Sequence, residues 1–224
     1  MADKKQQPTY TITIGGSWSL KDFYELPHTF AQVYAFHCAF LLMDEVDDPE
    51  RLWYVFGSFP WRGGYSAVNF YNSLNSQVPQ EFRPKVKSIQ YASPGWIELS
   101  LLVPAAVAVS KVVDMFVRSA SGLNGLYSEI YKGMHERKLM RIEAKRQEMD
   151  LTEKQIEFAV KMSRVLGESL GFNQIEELNE RTGHPVATLK MLLSYFRRVR
   201  KLAEYATTGK AEFPDERDLP ELPE

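Results

Sequence analysis

The chain has 224 residues, of which 44% are hydrophobic and 25% charged, and its formal net charge is −2. This length fits one large domain or two small ones, and this composition is typical of globular proteins. The weak negative charge excludes a chain that is basic throughout, as a nucleic-acid coat protein is, although a local basic face is compatible with it. The single cysteine, Cys38, excludes an intramolecular disulfide. Together with a polar start that lacks the apolar core of a signal peptide, it predicts a cytoplasmic location.

Residues 10–43 predict a strand followed by a long helix. The segment 10–14 alternates apolar and polar side chains and ends at two glycines, which is typical of a short strand. From Ser19 to Met43 the length and spacing of the apolar residues favour a helix, and Asp22 stands three positions after Ser19, as in a capping box. Pro27 lies inside this helix and is a candidate point of division.

Residues 52–118 predict the rest of an N-terminal α+β domain. The predicted elements are a strand at 52–56, a helix at 66–74, a hairpin at 86–102 and a helix at 105–118. The Pro94-Gly95 pair favours a tight turn at the tip of the hairpin, and Pro104 suits the first turn of the helix. We therefore predict that residues 8–120 form a small sheet with packed helices, which senses a ligand or assembles with a partner.

The second half of the chain predicts an all-α arrangement. Residues 119–125 are rich in serine and glycine and predict a hinge, while residues 121–150 are interpreted as a charged connecting helix. The Thr152–Gln155 pair forms a capping box at the start of a helical domain predicted over 151–206. The last segment, 207–224, is rich in proline and acidic residues and predicts an acidic disordered tail.

The most informative motif lies inside the predicted helical domain. Residues 174–182 predict a short helix, Gly183 suits a corner that needs a positive φ, and residues 186–205 predict a second, longer helix. The elements Leu-x-Glu-Arg-Thr-Gly and Ala-Thr-Leu-x-x-Leu-Leu resemble the helix-turn-helix of many bacterial transcription regulators. The resemblance covers about residues 175–200, and it implies a DNA-binding regulator whose second helix enters the major groove.

The second helix of this motif supplies the predicted DNA contacts. Helical spacing predicts an inward apolar stripe of Leu189, Leu192, Leu193 and Phe196. By the resemblance, the outward positions are Pro185, Val186, Ala187, Lys190, Met191 and Ser194. Lysine can read base edges, whereas the arginines further along the helix suit phosphates. The predicted DNA-binding residues are Thr188, Lys190, Ser194, Arg197, Arg198, Arg200 and Lys201.

Two other functions are compatible with the sequence. A structural or adaptor subunit of a larger bacterial assembly, for example a defence or phage-related complex, would use the apolar helix at 105–117 as its interface. Membrane association would use residues 99–117, but Lys111 and Asp114 oppose it, because each charge at a bilayer centre costs about 2.5–3.5 kcal/mol. DNA and a protein partner or second copy of the chain are therefore the predicted partners, and a membrane is the less favoured alternative.

Reactive side chains do not form a recognisable catalytic pattern in the sequence. The histidines have no metal-ligand spacing, and the adjacent His37 and Cys38 point in different directions on one helix. Trp61, Arg62 and Tyr65 are interpreted as core or turn residues in preference to the edge of a ligand site. We therefore predict a non-enzymatic protein with no cofactor and no metal.

Overall fold

The structure combines an antiparallel sheet with helices, which confirms the predicted α+β class. The computed structural model describes residues 9–41, 54–57, 61, 64–142 and 151–215. The strands are β1 (Thr9–Ile14), β2 (Lys85–Gln90), β3 (Gly95–Ser100) and β4 (Ala211–Glu212). The helices are α1 (Leu20–Leu41), α2 (Gly64–Gln77), α3 (Val103–Glu136), α4 (Glu153–Ser169), α5 (Ile175–Thr182) and α6 (Pro185–Thr207). A short 3-10 helix follows α3 at Leu139–Arg141.

The sheet buries one face in the core. Its strand order is β2-β3-β1-β4, and all neighbouring strands are antiparallel. Ile12 of β1 lies opposite Ile97 of β3, and both are buried. Thr11 lies opposite Glu98 and is exposed. The alternation of apolar and polar residues in β1 therefore determines which face joins the core.

The fourth strand comes from the end of the chain. Ala211–Glu212 pairs with β1, and Phe213 then stacks on Phe30 of α1 with ring centroids 6.3 Å apart. The prediction that disorder begins at residue 207 is therefore wrong for this stretch, because backbone pairing and an aromatic contact hold it. Residues 216–224 of the predicted tail lie outside the described residues.

Helix α6 packs at the centre of the helical layer. It contacts α1, α3, α4, α5 and β4. The Tyr195 ring lies 4.6 Å from the Phe36 ring of α1, and the Phe196 ring lies 5.1 Å from Phe116 and 4.7 Å from Tyr127 of α3. The predicted inward stripe is buried, but it is only one part of the buried surface of this helix. A helix with neighbours on most sides buries polar as well as apolar positions.

Helix α3 runs through the predicted hinge and ends earlier than the predicted connecting helix. Ser119 departs from helical geometry, with φ of −118° and ψ of 17°, and marks a kink. The kink lies between Phe116 and Tyr127, which both contact Phe196 of α6. Because α3 ends at Glu136, the prediction of one helix over 121–150 is wrong. Residues 143–150 lie outside the described residues.

Two local predictions about the first third of the chain differ from the structure. The strand predicted at 52–56 is wrong where it is described, because residues 54–57 are helical. Val55 and Phe56 are adjacent and both buried, which a helical turn allows and an alternating strand does not. Pro27 lies inside α1 but does not divide it.

One hydrophobic cluster joins the predicted domains. Buried side chains from β1 through α6 to β4 belong to the same contiguous core, so the parts predicted at 8–120 and 151–206 share their interior.

In the part of the chain that the structure describes, no helix has both the length and the apolar character needed to cross a bilayer.

Candidate ligand pocket

The helix, glycine corner and second helix of the predicted motif are present in the structure. Helix α5 ends at Thr182, Gly183 has a φ of 62°, and α6 begins at Pro185. The Gly183 N–H donates to the Asn179 carbonyl at 3.0 Å, which closes the corner. Only glycine adopts this φ without a steric penalty. Because this local geometry also occurs in helical proteins that do not bind DNA, the DNA-binding function stays a prediction.

Two of the predicted DNA contacts are inside the protein. Thr188 and Ser194 are 0% exposed. The Thr188 hydroxyl is hydrogen-bonded to the Thr182 hydroxyl at 2.6 Å, and the Ser194 hydroxyl accepts from Arg198 at 2.7 Å. Either side chain would have to leave the core before it could contact a base or a phosphate.

Further positions that the resemblance assigns to the outer face of the second helix are also buried. Val186, Ala187 and Met191 are each at most 2% exposed. The prediction that this face is open to solvent is therefore wrong. The physical reason is that α6 lies among four other helices, so a face that projects into DNA in the regulators meets protein here.

Two predicted contacts lie at the surface and are paired with acids. Lys201 Nζ lies 3.1 Å from Glu25 and 3.6 Å from Glu204. Arg200 lies 3.9 Å from Glu204, at an exposed position. Surface ion pairs of this kind contribute little stability, about 0–1 kcal/mol. They nevertheless reduce the positive potential that this end of α6 offers to a polyanion.

The remaining three predicted contacts converge on one pocket. Lys190, Arg197 and Arg198 line a cavity of about 450 Å³ between α6, α2, α3 and the 3-10 helix. This volume lies within the range of small-molecule sites, roughly 300–1,000 Å³. The other lining residues are mostly apolar or aromatic: Trp61, Ala67, Val68, Tyr131, Met134, Met140 and Leu193.

Arg198 is a partly buried cation of the pocket. Its Nε donates to Gln32 Oε1 at 2.7 Å, and its Nη1 donates to the carbonyl and hydroxyl of Ser194 at 3.0 and 2.7 Å. Its Nη2 makes a long contact, 3.5 Å, with the Ala67 carbonyl. All these acceptors are neutral, and no carboxylate among the described residues pairs with this guanidinium. Burial lowers the pKa of Arg198 from its ordinary value, and neighbouring Arg197 also lowers it.

Arg197 and Lys190 occupy different environments in the same pocket. Arg197 is exposed, and its Nη1 donates to the Tyr127 hydroxyl at 3.2 Å. Lys190 Nζ donates to the backbone carbonyls of Ile142, Met140 and Trp61 at 2.6, 3.1 and 3.4 Å. Lys190 therefore links α6 by hydrogen bonds to Trp61 and to the backbone around the 3-10 helix. Arg197 has N–H donors available to a bound molecule.

Trp61 forms a wall that is held in an unusual backbone conformation. Its φ is 46°, which is rare for a residue with a large side chain. The indole is buried and packs 5.0 Å from the Phe70 ring. The sequence interpretation of Trp61 as a core residue is confirmed, but the residue also lines the pocket. The side chains of Arg62 and Tyr65 lie outside the described residues.

The sequence pointed to the cations of the pocket and, as a less favoured reading, to Trp61, but not to the other walls. Tyr131, Met134 and Met140 come from a stretch whose sequence predicts only a charged helix, and Ala67 and Val68 come from a short helix without predicted functional residues. Their apolar side chains carry no signal that separates a ligand wall from a core. The pairing of Arg198 with Ala67 spans 131 positions of the chain, and only the tertiary fold brings the two together.

No protein-family model, no curated protein and no solved structure matches this chain. The chemistry of the pocket therefore carries the functional proposal.

Proposed function

We propose that this chain is a non-enzymatic, cytoplasmic binding protein with a regulatory or adaptor role, and that its pocket holds a small organic anion. The observation that carries the proposal is the Arg198 guanidinium, partly buried beside an apolar cavity and surrounded by neutral acceptors. The chain has one cysteine and so forms no intramolecular disulfide, which agrees with a reducing compartment.

The energetic argument starts from the cost of burying a charge. An ion that leaves water pays a penalty of several kcal/mol in a protein interior, and neutral hydrogen-bond partners recover only part of it. A bound anion next to Arg198 would supply the missing counter-charge. The same anion would lie within reach of Arg197, whose remaining donors are unused by the described residues.

The apolar walls restrict the kind of anion. A pocket lined by Met134, Met140 and Leu193 is poorly suited to a bare inorganic ion, because such an ion would leave apolar surface facing water. A molecule with one charged end and an apolar body satisfies both parts of the lining. Small-molecule sites commonly combine such walls with a few polar groups that fix orientation.

DNA binding through α6 is the second candidate, and the exposed corner at Gly183 is the observation that favours it. Most outward positions of the motif are buried, and the half-buried Lys190 donates to three backbone carbonyls, so base reading needs α6 to leave the core. A gel shift with random duplex at about 50 mM salt tests it, because phosphate contacts are strongest at low salt. We expect no shift; a shift that Arg200→Gln and Lys201→Gln abolish would favour the DNA-binding function instead.

The primary test uses anilinonaphthalene sulfonate, a fluorescent aromatic anion whose emission rises in apolar surroundings. We expect saturable binding of one dye molecule per chain, and an affinity at least about tenfold lower in the Arg198→Met variant. Arg118→Met is the matched control, because Arg118 is exposed on α3 and does not line the pocket. Equal dye binding by the native chain and Arg198→Met, or no saturable binding at all, would overturn the proposal.

A further inference from the structure

We infer that the pocket selects a monocarboxylate with an aromatic or short acyl body over phosphates and nucleotides. The inference rests on the proposed function and specifies its ligand class. It follows from the juxtaposition of a few available arginine donors with a mostly apolar lining whose described residues include no carboxylate, amide or aliphatic hydroxyl.

The donors available to an anion are few. In Arg198, Gln32 occupies Nε and Ser194 occupies Nη1, so Nη2 is the nitrogen left to turn toward a ligand. Its contact with the Ala67 carbonyl, at 3.5 Å, is long for a hydrogen bond. Arg198 therefore offers an anion the N–H groups of Nη2 alone.

Lys190 does not add a free donor to this set. Its ammonium group already donates to three backbone carbonyls, and a lysine has only three N–H groups. Arg197, by contrast, uses Nη1 for Tyr127 and has its other nitrogens available. The two arginines together match the two oxygens of one carboxylate. A phosphate dianion has an additional oxygen and a second charge, and removing it from water beside these apolar walls costs more free energy than removing a carboxylate.

The lining also argues against a nucleotide. Apart from its cations, the pocket presents Met134, Met140 and Leu193, together with the rings of Trp61 and Tyr131. Among the described lining residues there is no carboxylate, amide or aliphatic hydroxyl that could read ribose or base edges. Methionine side chains adapt to ligands of different shape and contact aromatic rings favourably. An apolar body of variable shape is therefore the expected partner of these walls.

Calorimetric titration of the full chain with probes matched in body and changed in head group tests this inference. We expect phenylbutyrate and octanoate to bind, and octyl phosphate, adenosine monophosphate and inorganic phosphate to bind at least about tenfold more weakly or not at all. Phenylbutyramide, which keeps the body and loses the charge, should also bind at least about tenfold more weakly. Gln32→Leu/Arg198→Met, which replaces the buried polar pair by apolar side chains of similar length, should lose the preference for phenylbutyrate over phenylbutyramide.

The outcomes separate the inference from the proposed function. If octyl phosphate or adenosine monophosphate binds more tightly than the carboxylates, and Arg198→Met abolishes that binding, the ligand class is wrong while the proposed function holds. If none of these anions binds and anilinonaphthalene sulfonate shows no saturable binding that depends on Arg198, both fail. If the dye binds in that way and none of these anions does, only the inference fails. Carboxylate binding that Arg198→Met leaves unchanged in a folded chain would place the ligand elsewhere and overturn the inference. Far-ultraviolet circular dichroism of each variant checks that it is folded.

Discussion

The Arg198 guanidinium carbon lies 3.8 Å from the centroid of the Tyr71 ring, so one face of the cation is covered by an aromatic ring. Contacts of this kind contribute about 0.5–2 kcal/mol, the more so when they are shielded from water. Tyr71 is itself fully buried on α2, which makes the ring a fixed support. The cation is therefore oriented before any ligand arrives, which lowers the entropic cost of binding an anion.

The Arg198–Gln32 pair should contribute little net free energy to folding, although removing Arg198 alone is costly. Arg198→Met leaves the buried Gln32 Oε1 without its donor, and we expect a loss of about 1–3 kcal/mol in the free energy of unfolding. In Gln32→Leu/Arg198→Met both polar groups are gone, so most of that loss should be recovered. Urea unfolding of the native chain, both single variants and the double variant measures the coupling.

The control for this cycle is Arg118→Met, which should change the unfolding free energy by less than about 0.5 kcal/mol because Arg118 is exposed. A double variant less stable than either single variant would mean that the pair is needed for folding. That result would remove the argument that Arg198 is retained for a ligand.

Half-buried His37 should make the protein less stable as the pH falls. Its Nε2 is hydrogen-bonded to the Tyr195 hydroxyl at 2.8 Å, and burial lowers the pKa of His37 to about 4. In the unfolded chain the His37 imidazole takes up a proton near pH 6.5, so a falling pH stabilises the unfolded state before it affects the folded one. The contribution of neutral His37 to the free energy of unfolding is fully present above about pH 6.5 and is lost progressively toward pH 4. From about pH 7.5 to about pH 5 the loss should be about 2 kcal/mol.

The measurement is urea unfolding at both pH values for the native chain and His37→Gln, which cannot titrate in this range. The pH-dependent loss should be about 2 kcal/mol smaller in the variant. Tyr195→Phe removes the hydrogen bond but keeps the titrating ring, so it should retain the larger loss. Equal pH dependence in the native chain and His37→Gln would show that His37 is accessible to protons in the folded state.

The elements predicted correctly from the sequence are those determined by local signals. Alternation in residues 10–14 predicts β1, and Gly183 predicts the corner before α6. The Thr152–Gln155 capping box predicts the start of α4, where Gln155 Oε1 accepts the Thr152 backbone N–H at 3.0 Å. In each of these cases a few neighbouring residues contain the physical cause of the structure.

The surroundings of α6 depend on residues far away in the chain and were not predictable in this way. A polar residue such as Ser194 predicts an exposed position. Ser194 is nevertheless buried, because its hydroxyl and carbonyl accept hydrogen bonds from Arg198. Arg198 in turn depends on Gln32 and Tyr71. Helical spacing predicts which residues lie on the same face of α6. How many of its faces are buried against other helices and strands depends on the whole fold.

Gly167 should be intolerant of any side chain, because α4 and α5 approach closely there. A Cβ at this position would lie 2.6 Å from Ile175 Cγ1 and closer still to the end of that side chain. Gly167→Ala should therefore lower the unfolding free energy by about 1–3 kcal/mol, despite the better helix propensity of alanine. Urea unfolding measures this.

The control for Gly167 is Gly122→Ala, also within a helix, where a Cβ would meet nothing within 4 Å. That substitution should stabilise the protein by up to about 1 kcal/mol. The double variant Gly167→Ala/Ile175→Ala should lose less unfolding free energy than the two single variants added together, because alanine at position 175 removes the clash. Strict additivity would count against a close contact between the two residues.

Phe213 should stabilise the fold even though it lies near the end of the chain. Its ring is nearly parallel to that of Phe30, with an interplanar angle of 4°, and it follows the paired residues Ala211–Glu212. Phe213→Ala should lower the unfolding free energy by about 1–2 kcal/mol, since the side chain is partly buried and contacts an aromatic ring. Glu212→Ala is the control, because Glu212 is exposed and its β4 backbone pairing does not require its side chain. Equal effects of the two substitutions in urea unfolding would mean that the aromatic contact contributes nothing and that backbone pairing alone holds this segment.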